Sequence, residues 1–242
     1  SNPTSAYLLG YILGDGNINI RRNNYYTLNI TSKDYEHINQ IKNIFDDTIK
    51  LSEHTKNNHK AWSLSIVDQD VCNDLIKLGI KPQKSYVDST INFEWLGNNL
   101  SHFIRGLFDS DGCIRIKNSN SLEFTIAGHY SYINEIHNYM NNQWSCYKPK
   151  NENINILNKI WSNTDKRDFY KYLYTNATIW LQRKRDIFDE YIINNFHQLP
   201  EFEMYDITID SEDHVYFCNG ILTHNCAEEL RLVANVYNEP TW

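Results

Sequence analysis

The chain has 242 residues, of which 41% are hydrophobic and 14% aromatic, so it can form one large domain or two small ones with a substantial core. Five cysteines, an odd number without a C-x-x-C pair, argue against a disulfide framework and a zinc site and favour a reducing, cytoplasmic environment. No stretch reaches the ~20 apolar residues of a membrane span, and the first residues lack the charged and apolar regions of a secretion signal.

The net charge of −7 is unevenly distributed along the chain. Residues 201–242 contain nine acids and one base, whereas residues 1–200 contain 22 bases and 21 acids. A basic face for nucleic acid is therefore compatible with the first 200 residues, despite the acidic total. Because proline at Leu199-Pro200 would end the helical run before it, we predict a domain boundary there, with the first domain spanning residues 1–199.

Two apolar segments, LLGYILGDG (Leu8 to Gly16) and IRGLFDSDG (Ile104 to Gly112), repeat one pattern 96 residues apart. Each is predicted to be a helix with small residues at i and i+4, Gly10 with Gly14 and Gly106 with Ser110. That spacing lets two helix backbones approach closely. The glycines that end the segments predict left-handed helix caps.

If the two helices pack side by side, their carboxyl ends bring Asp15 and Asp111 together. Two carboxylates at the negative ends of helix dipoles repel each other, and a divalent cation between them removes that repulsion. A single Asp-Gly pair is more typical of a solvated turn. The duplication favours the metal site.

Similar elements follow each segment. Alternating residues such as NINIRRNNYYTLNITS and CIRIKNSNSLEFTIAG predict strands, and DYEHINQIKNIF and YSYINEIHNYM predict helices. The chain is therefore predicted to be an α+β protein of two αββαββα units, each with an antiparallel sheet that has one face on helices and one face open. Polar side chains predicted on the open faces suit phosphates and base edges, although ordinary solvated hairpins look the same; they are Arg21, Arg22, Asn24, Arg115 and Lys117.

The paired motifs, their spacing and the repeat resemble a single-chain LAGLIDADG homing endonuclease over about residues 5–196, with repeats at about 5–96 and 97–196. The resemblance implies a saddle-shaped, DNA-binding monomer with internal pseudo-twofold symmetry that cleaves double-stranded DNA at a long asymmetric site. It assigns Mg²⁺ to Asp15 and Asp111. The preceding acid of the motif is present as Asp109 but replaced by Leu13. The resemblance also implies one basic residue in each repeat that assists the active site, here called a helper lysine. Lys84 is a good match in the first repeat, whereas in the second repeat Arg183 and Arg185 are alternative candidates to Lys184.

The triplet His224-Asn225-Cys226 carries a different chemistry. Asparagine can attack its own carbonyl and break the next peptide bond, histidine can assist by hydrogen bonding or proton transfer, and cysteine can accept an acyl group. With the preceding YDITIDSEDHVYFCNG, the triplet resembles the C-terminal splice junction of an intein. The resemblance implies roles for Asp206 and His214, a small all-β Hint fragment over residues 200–225 and a C-extein over residues 226–242. Asn219-Gly220 is predicted to turn between the last two strands.

The sequence contains no Thr-x-x-His block, which the intein resemblance leads us to expect in the N-terminal half of an intein. We therefore expect splicing to need a separate N-terminal intein fragment as partner. Site-specific DNA cleavage within an intein is the leading hypothesis. Two alternatives remain open at this stage: a nucleic-acid-binding module without cleavage, similar to maturases or regulators of the family, and a splicing fragment whose endonuclease domain is inert.

Overall fold

The computed structural model describes residues 1–22, 25–56, 59–82, 84, 90–118, 121–139, 144–149, 154–161, 166–196, 215–218 and 221–224. The chain divides into two units, Ser1–Ile192 and Ile193–Trp242. The boundary predicted after residue 199 stays a prediction. Across the described residues, no helix is both long and apolar enough to cross a membrane.

The first half of the larger unit follows the predicted order of elements. Its first helix is started by Asn2, whose side chain accepts a hydrogen bond from the Ser5 N–H while Pro3 occupies the first turn. The elements are α1 (Pro3–Asp15), β1 (Gly16–Ile20), β2 (Tyr26–Ser32), α2 (Tyr35–Phe45), β3 (Ser52–Lys56), β4 (His59–Ile66) and α3 (Gln69–Lys77). The strands form one antiparallel sheet in the order β1-β2-β4-β3.

The second half repeats this arrangement. A short helix and a 3₁₀ turn at Gly97–Asn99 lead into it. Its elements are α4 (Phe93–Leu96), α5 (Leu100–Asp111), β5 (Gly112–Asn118), β6 (Ser121–His129), α6 (Tyr130–Tyr139), β7 (Ser145–Tyr147), β8 (Ile154–Trp161), α7 (Lys166–Tyr174) and α8 (Gln182–Phe196). The sheet order β5-β6-β8-β7 is equivalent to that of the first sheet. The predicted αββαββα repeat is confirmed, and α8 is an additional helix.

Helices α1 and α5 pack backbone against backbone at the centre of the unit. A Cβ atom on Gly10 would lie 2.0 Å from the carbonyl oxygen of Phe103, and one on Gly106 would lie 2.0 Å from that of Tyr7. Any side chain at either glycine would therefore push the helices apart. The contact predicted from the small residues is confirmed.

The prediction of left-handed caps at Gly16 and Gly112 is wrong. Their φ values are −79° and −87°, and both residues have extended backbone because each helix passes directly into a strand. Steric crowding, and not a left-handed backbone, explains why glycine occupies these positions, because a Cβ on Gly16 would lie 2.6 Å from the Ile12 carbonyl oxygen. The equivalent distance from Gly112 to the Phe108 carbonyl oxygen is 2.5 Å.

Each sheet has one face on helices and one open face. The buried side chains of the first sheet include Ile18, Leu28, Ile30 and Leu64, and α2 and α3 pack on that sheet. The buried side chains of the second sheet include Ile114, Phe124, Ile126 and Leu157, and α6 packs on that sheet. Because successive side chains of a strand alternate between faces, the residues between these positions lie on the open faces.

The smaller unit is described only at two strands, β9 (Val215–Cys218) and β10 (Ile221–His224). They pair in antiparallel register from Cys218 opposite Ile221 to Val215 opposite His224. The Asn219-Gly220 turn predicted between them lies outside the described residues, as does most of the predicted Hint fragment.

Candidate active site

Asp15 and Asp111 are the last residues of α1 and α5, which pack side by side. A Cβ on Gly14 would lie 3.0 Å from Oδ2 of Asp111, so the Asp111 carboxylate lies next to the residue that precedes Asp15. Both aspartates reach solvent at the helix ends. The predicted convergence of the two carboxylates is confirmed; their role in binding a metal stays a prediction.

The protein around these carboxylates favours their neutral forms. Loss of hydration and, to a smaller extent, the Asp15 charge together raise the pKa of Asp111 to about 6, although Lys84 and Lys184 act in the opposite direction. Loss of hydration also raises the pKa of Asp15, while hydrogen bonding from Tyr11 lowers it. Positive charge added between the two groups would therefore favour the ionised pair.

Lys84 binds the end of α1. Its Nζ donates to the carbonyl oxygen of Ile12 at 2.9 Å and to those of Leu13 and Gly14. An ammonium group has three N–H donors, so all three are used. Burial lowers the pKa of Lys84 to about 8, while Asp111 and Asp15 counteract that effect.

Lys184, on α8, binds the end of α5 in the equivalent way. Its Nζ donates to the carbonyl oxygens of Phe108, Asp109 and Gly112, the last two at 2.9 Å and 2.7 Å. Lys184 is only 4% exposed, and burial lowers its pKa to about 8. Of Lys184, Arg183 and Arg185, it is Lys184 that binds the helix end in the place equivalent to Lys84, while its role as a helper lysine stays a prediction. Each ammonium group also brings positive charge to the negative end of a helix dipole.

Asp109 has a structural position that the sequence did not indicate. It is 1% exposed, and its Oδ2 accepts hydrogen bonds from the Tyr7 hydroxyl and the Leu181 N–H, both at 2.8 Å. The Tyr7 hydroxyl also lies 3.0 Å from Nε2 of His37. Asp109 therefore connects α5 to α1 and to the segment before α8. Leu13, at the equivalent position of the first repeat, is an apolar core residue.

A cavity of about 380 Å³ lies beside Asp15 and is lined by residues of both repeats, among them Tyr11, Thr31, Ser110 and Arg183. Nε of Arg183 donates to both carboxylate oxygens of Asp34, at 3.0 Å and 3.1 Å. Tyr11 and Arg183 were not predicted as site residues. The i, i+4 spacing of Tyr11 and Asp15 was a usable signal for the first, whereas the position of Arg183 depends on how α8 folds back.

The residues predicted to contact DNA have different environments. Arg21 and Arg22 are exposed, and Nε of Arg21 donates to Oγ1 of Thr27 at 3.3 Å. Arg115 is paired with the buried Glu123, so part of its charge is already compensated. Asn24 and the side chain of Lys117 lie outside what the structure describes.

The predicted splicing residues fall almost entirely outside the described part of the chain. Asp206, His214, Asn225 and Cys226 are among the residues not described, and His224 is described only as the last backbone position of β10. Their assignment stays a prediction. The cysteines for which the structure gives a side-chain state, Cys72, Cys113 and Cys146, are free thiols.

The donor set fits a divalent ion of the magnesium type. Within the described ranges, no group of three or more His, Cys, Asp or Glu side chains is arranged to hold a metal. Asp15 and Asp111 offer hard carboxylate oxygens. Magnesium is commonly bound by one or two carboxylates, with water and substrate phosphates as the remaining ligands. Two carboxylates at the centre of the unit agree with that kind of site.

Comparison with known proteins agrees with the geometry. A family model described as a LAGLIDADG-like domain matches residues 2–77, and one described as a WhiA LAGLIDADG-like domain matches residues 100–160. Both halves of the repeat are thus similar to LAGLIDADG-like domains. No curated protein matches the chain by sequence.

Solved structures share the LAGLIDADG fold. The LAGLIDADG homing endonuclease I-LtrWI, bound to target DNA, matches with a TM-score of 0.56 and 13% identity, covering 98% of this chain and 97% of its own. Meganuclease I-SmaMI, bound to uncleaveable DNA with a TTCT central four, matches with a TM-score of 0.55 and 14% identity. This match covers 81% of this chain and 91% of the meganuclease. The homing endonuclease I-WcaI, bound to its DNA recognition sequence, matches with a TM-score of 0.53 and 18% identity. This match covers 73% of this chain and 83% of I-WcaI. The chain therefore has a LAGLIDADG homing-endonuclease-like fold. At these sequence identities the similarity establishes a shared fold and nothing about activity.

Proposed function

We propose that the protein is a site-specific endonuclease that hydrolyses both strands of double-stranded DNA in the presence of Mg²⁺. The observation that carries this proposal is the pair of carboxylates, Asp15 and Asp111, at adjacent helix ends between two sheets with open faces. The structural relatives bound to DNA support it by their shared fold. Because one chain supplies both carboxylates, we propose that it acts as a monomer.

The residues around the site would hold its charges in place. Asp15 and Asp111 would bind Mg²⁺, and bound Mg²⁺ supplies an activated water and charge neutralisation at the scissile phosphate. Lys84 and Lys184 fix the last turns of α1 and α5 through the main-chain carbonyls, so the carboxylates keep one separation without flexible loops. Tyr11 orients Asp15 through hydrogen bonding. Such prior organisation lowers the cost of reaching the reactive geometry.

The proposal is tested by incubating the full chain with plasmids that carry a fully randomised insert, with and without Mg²⁺. Linear plasmids are then captured by ligating adapters to their ends and sequenced. We expect one recurrent long, asymmetric site, cleaved on both strands and only with Mg²⁺. Cleavage without sequence preference, or no linear product although duplexes are bound, would contradict the proposal. The second outcome would favour a nucleic-acid-binding module without cleavage.

We also propose that the C-terminal segment carries protein-splicing chemistry within an intein. Two observations support this: the antiparallel strands β9 and β10, which end at His224, and the Asn225-Cys226 pair that follows. In this proposal Asn225 cyclises, Cys226 accepts the upstream acyl group, and His224, His214 and Asp206 assist proton transfer. A separate N-terminal intein fragment would complete the fold.

Intact-mass spectrometry tests the splicing proposal after a purified N-terminal intein fragment is added. We expect residues 226–242 to be released joined to the extein segment that precedes the N-terminal intein fragment. Asn225→Ala should stop the reaction at a branched thioester. Cys226→Ala should allow cleavage without ligation. Ligated product from Asn225→Ala would contradict the role given to that asparagine.

A further inference from the structure

The open faces of the two sheets can be compared position by position, because their strands pair in equivalent registers. Gly16 lies opposite Ile30 in the first sheet, and Gly112 lies opposite Ile126 in the second. Counting from these glycines, Asn17 corresponds to Cys113. The comparison shows that two sheets of the same topology present different chemistry on their open faces.

The open face of the first sheet carries amides and hydroxyls. Asn17 is exposed and lies directly opposite the half-buried Asn29, while Nδ2 of Asn17 donates to Oδ1 of Asn19 at 2.8 Å. Next to this cluster, Oγ atoms of Thr31 and Ser63 lie 2.9 Å apart on neighbouring strands. Thr31 also lines the cavity beside Asp15, so the hydroxyl pair lies on the side of the sheet nearest the carboxylates.

The open face of the second sheet is apolar at the positions that correspond to the Thr31–Ser63 hydroxyl pair. Ala127 takes the place of Thr31, and Ile156, opposite Ala127, takes the place of Ser63. Tyr147 lies opposite Ile156 and is 49% exposed. Ala127 and Ile156 are half-buried. Carboxamides are absent from the positions equivalent to the asparagine cluster, which are occupied by Cys113, Arg115 and Thr125.

The two faces match two different features of the DNA major groove. A carboxamide can form two hydrogen bonds with N6 and N7 of adenine, whereas apolar side chains contact the C5-methyl group of thymine. We infer that the two half-sites of the DNA are read differently, an inference that rests on the proposed DNA binding. The first sheet selects adenine through Asn17, Asn19 and Asn29. The second sheet selects thymine methyl groups through Ala127, Ile156 and Tyr147.

This division has a physical reason on each face. An amide left without a partner in a dry interface costs binding energy, so the asparagine cluster penalises a base pair that cannot satisfy it. Apolar side chains instead gain from burial against any methyl group, which gives a smaller but positive selection. The first half-site should therefore be the more stringent of the two.

The first experiment enriches bound duplexes from a library with a fully randomised core, using the full chain and two variants. Asn29→Ala should lose preference at positions that carry adenine in the wild-type site, by about 10-fold or more in relative affinity. Ile156→Ala should lose preference at thymine positions elsewhere in the site, by about 4-fold. Asn43→Ala, an exposed asparagine on the helix layer of the first half, is the matched control and should leave all preferences unchanged.

Base analogues in the enriched site then test the contacts themselves. Replacing the adenines that respond to Asn29→Ala with 7-deaza-adenine removes N7 and should weaken binding about 5-fold. Replacing the thymines that respond to Ile156→Ala with uracil removes only the methyl group and should weaken binding about 4-fold. Each analogue should have no further effect on the variant that has already lost the contact.

The outcomes separate this inference from the proposed function. If no duplex is enriched by the wild-type chain, DNA binding fails and the inference fails with it. If a site is enriched but the positions sensitive to Asn29→Ala carry G·C pairs, or if uracil changes nothing, the inference is overturned while DNA binding stands. Thermal unfolding of Asn29→Ala and Ile156→Ala is measured alongside, and binding is compared only at temperatures at which both variants are folded.

Discussion

Replacing Gly10 with alanine is expected to force α1 and α5 apart. The new Cβ would lie 2.0 Å from the Phe103 carbonyl oxygen and 2.9 Å from the Leu107 nitrogen, and neither backbone atom can rotate away. Restoring an ordinary contact needs a displacement of about 1 Å, and overpacking of this kind costs about 1–3 kcal/mol. For a chain of this size the melting temperature should fall by about 2–12 °C.

The displacement also reaches the carboxylates, because Asp15 lies little more than one helical turn beyond Gly10. A misplacement of about 1 Å can cost on the order of 100-fold in rate, so cleavage should fall far more than stability alone explains. Thermal unfolding and plasmid linearisation, compared at a temperature at which both proteins are folded, measure the two effects separately.

Gly97→Ala is the matched control for this substitution. Gly97 has φ +54° and ψ −126° and no atom within 4 Å of an added Cβ, so alanine there costs about 1–3 kcal/mol through backbone strain without a steric clash. Cleavage by the folded control should equal that of the wild type. Wild-type stability and wild-type cleavage in Gly10→Ala would refute the close packing of α1 and α5 as the device that sets the carboxylate separation.

Three further predictions concern charge. DNA affinity should fall steeply as salt rises despite the net charge of −7, and an affinity independent of salt would argue against contacts to the phosphate backbone. Lys184→Met should leave main-chain carbonyls without donors and cost about 1–3 kcal/mol in chemical denaturation, whereas the exposed Lys171→Met should cost little. Burial lowers the pKa of His37 to about 4 from 6.5, so its neutral form is favoured on folding and stability is lost as pH falls from 6.5 to 4. The unfolding free energy of His37→Gln minus that of the wild type should therefore rise by about 3 kcal/mol between pH 6.5 and pH 4. If this difference is the same at both pH values, the prediction is contradicted.

The sequence predicted the central features of the fold because they depend on local pattern and duplication. Small residues spaced four apart predicted the close packing of α1 and α5, and the repeated Asp-Gly predicted that Asp15 and Asp111 converge. Alternating residues predicted the strands. Each of these signals is a property of one short segment, and the repeat doubled its weight.

Other features depend on contacts between distant segments, which no single segment reveals. Asp109 meets Tyr7 and the Leu181 N–H only after α5 has packed against α1 and the chain has returned before α8. The choice of Lys184 over its arginine neighbours likewise depends on how α8 approaches the end of α5. The left-handed cap at Gly16 was predicted from turn chemistry, but crowding against the preceding turn of α1 is the reason for glycine there.

The most direct test of the central claim is to compare Asp15→Asn and Asp111→Asn with the wild-type chain on the enriched duplex, measuring binding and cleavage on the same preparations. Asparagine keeps the shape of the side chain but removes the charge that a divalent ion requires, while the open sheet faces stay intact. We predict that both variants bind the duplex with near wild-type affinity and yield no linear plasmid at any Mg²⁺ concentration. Full linearisation by either variant would contradict the assignment of Asp15 and Asp111 as the catalytic pair.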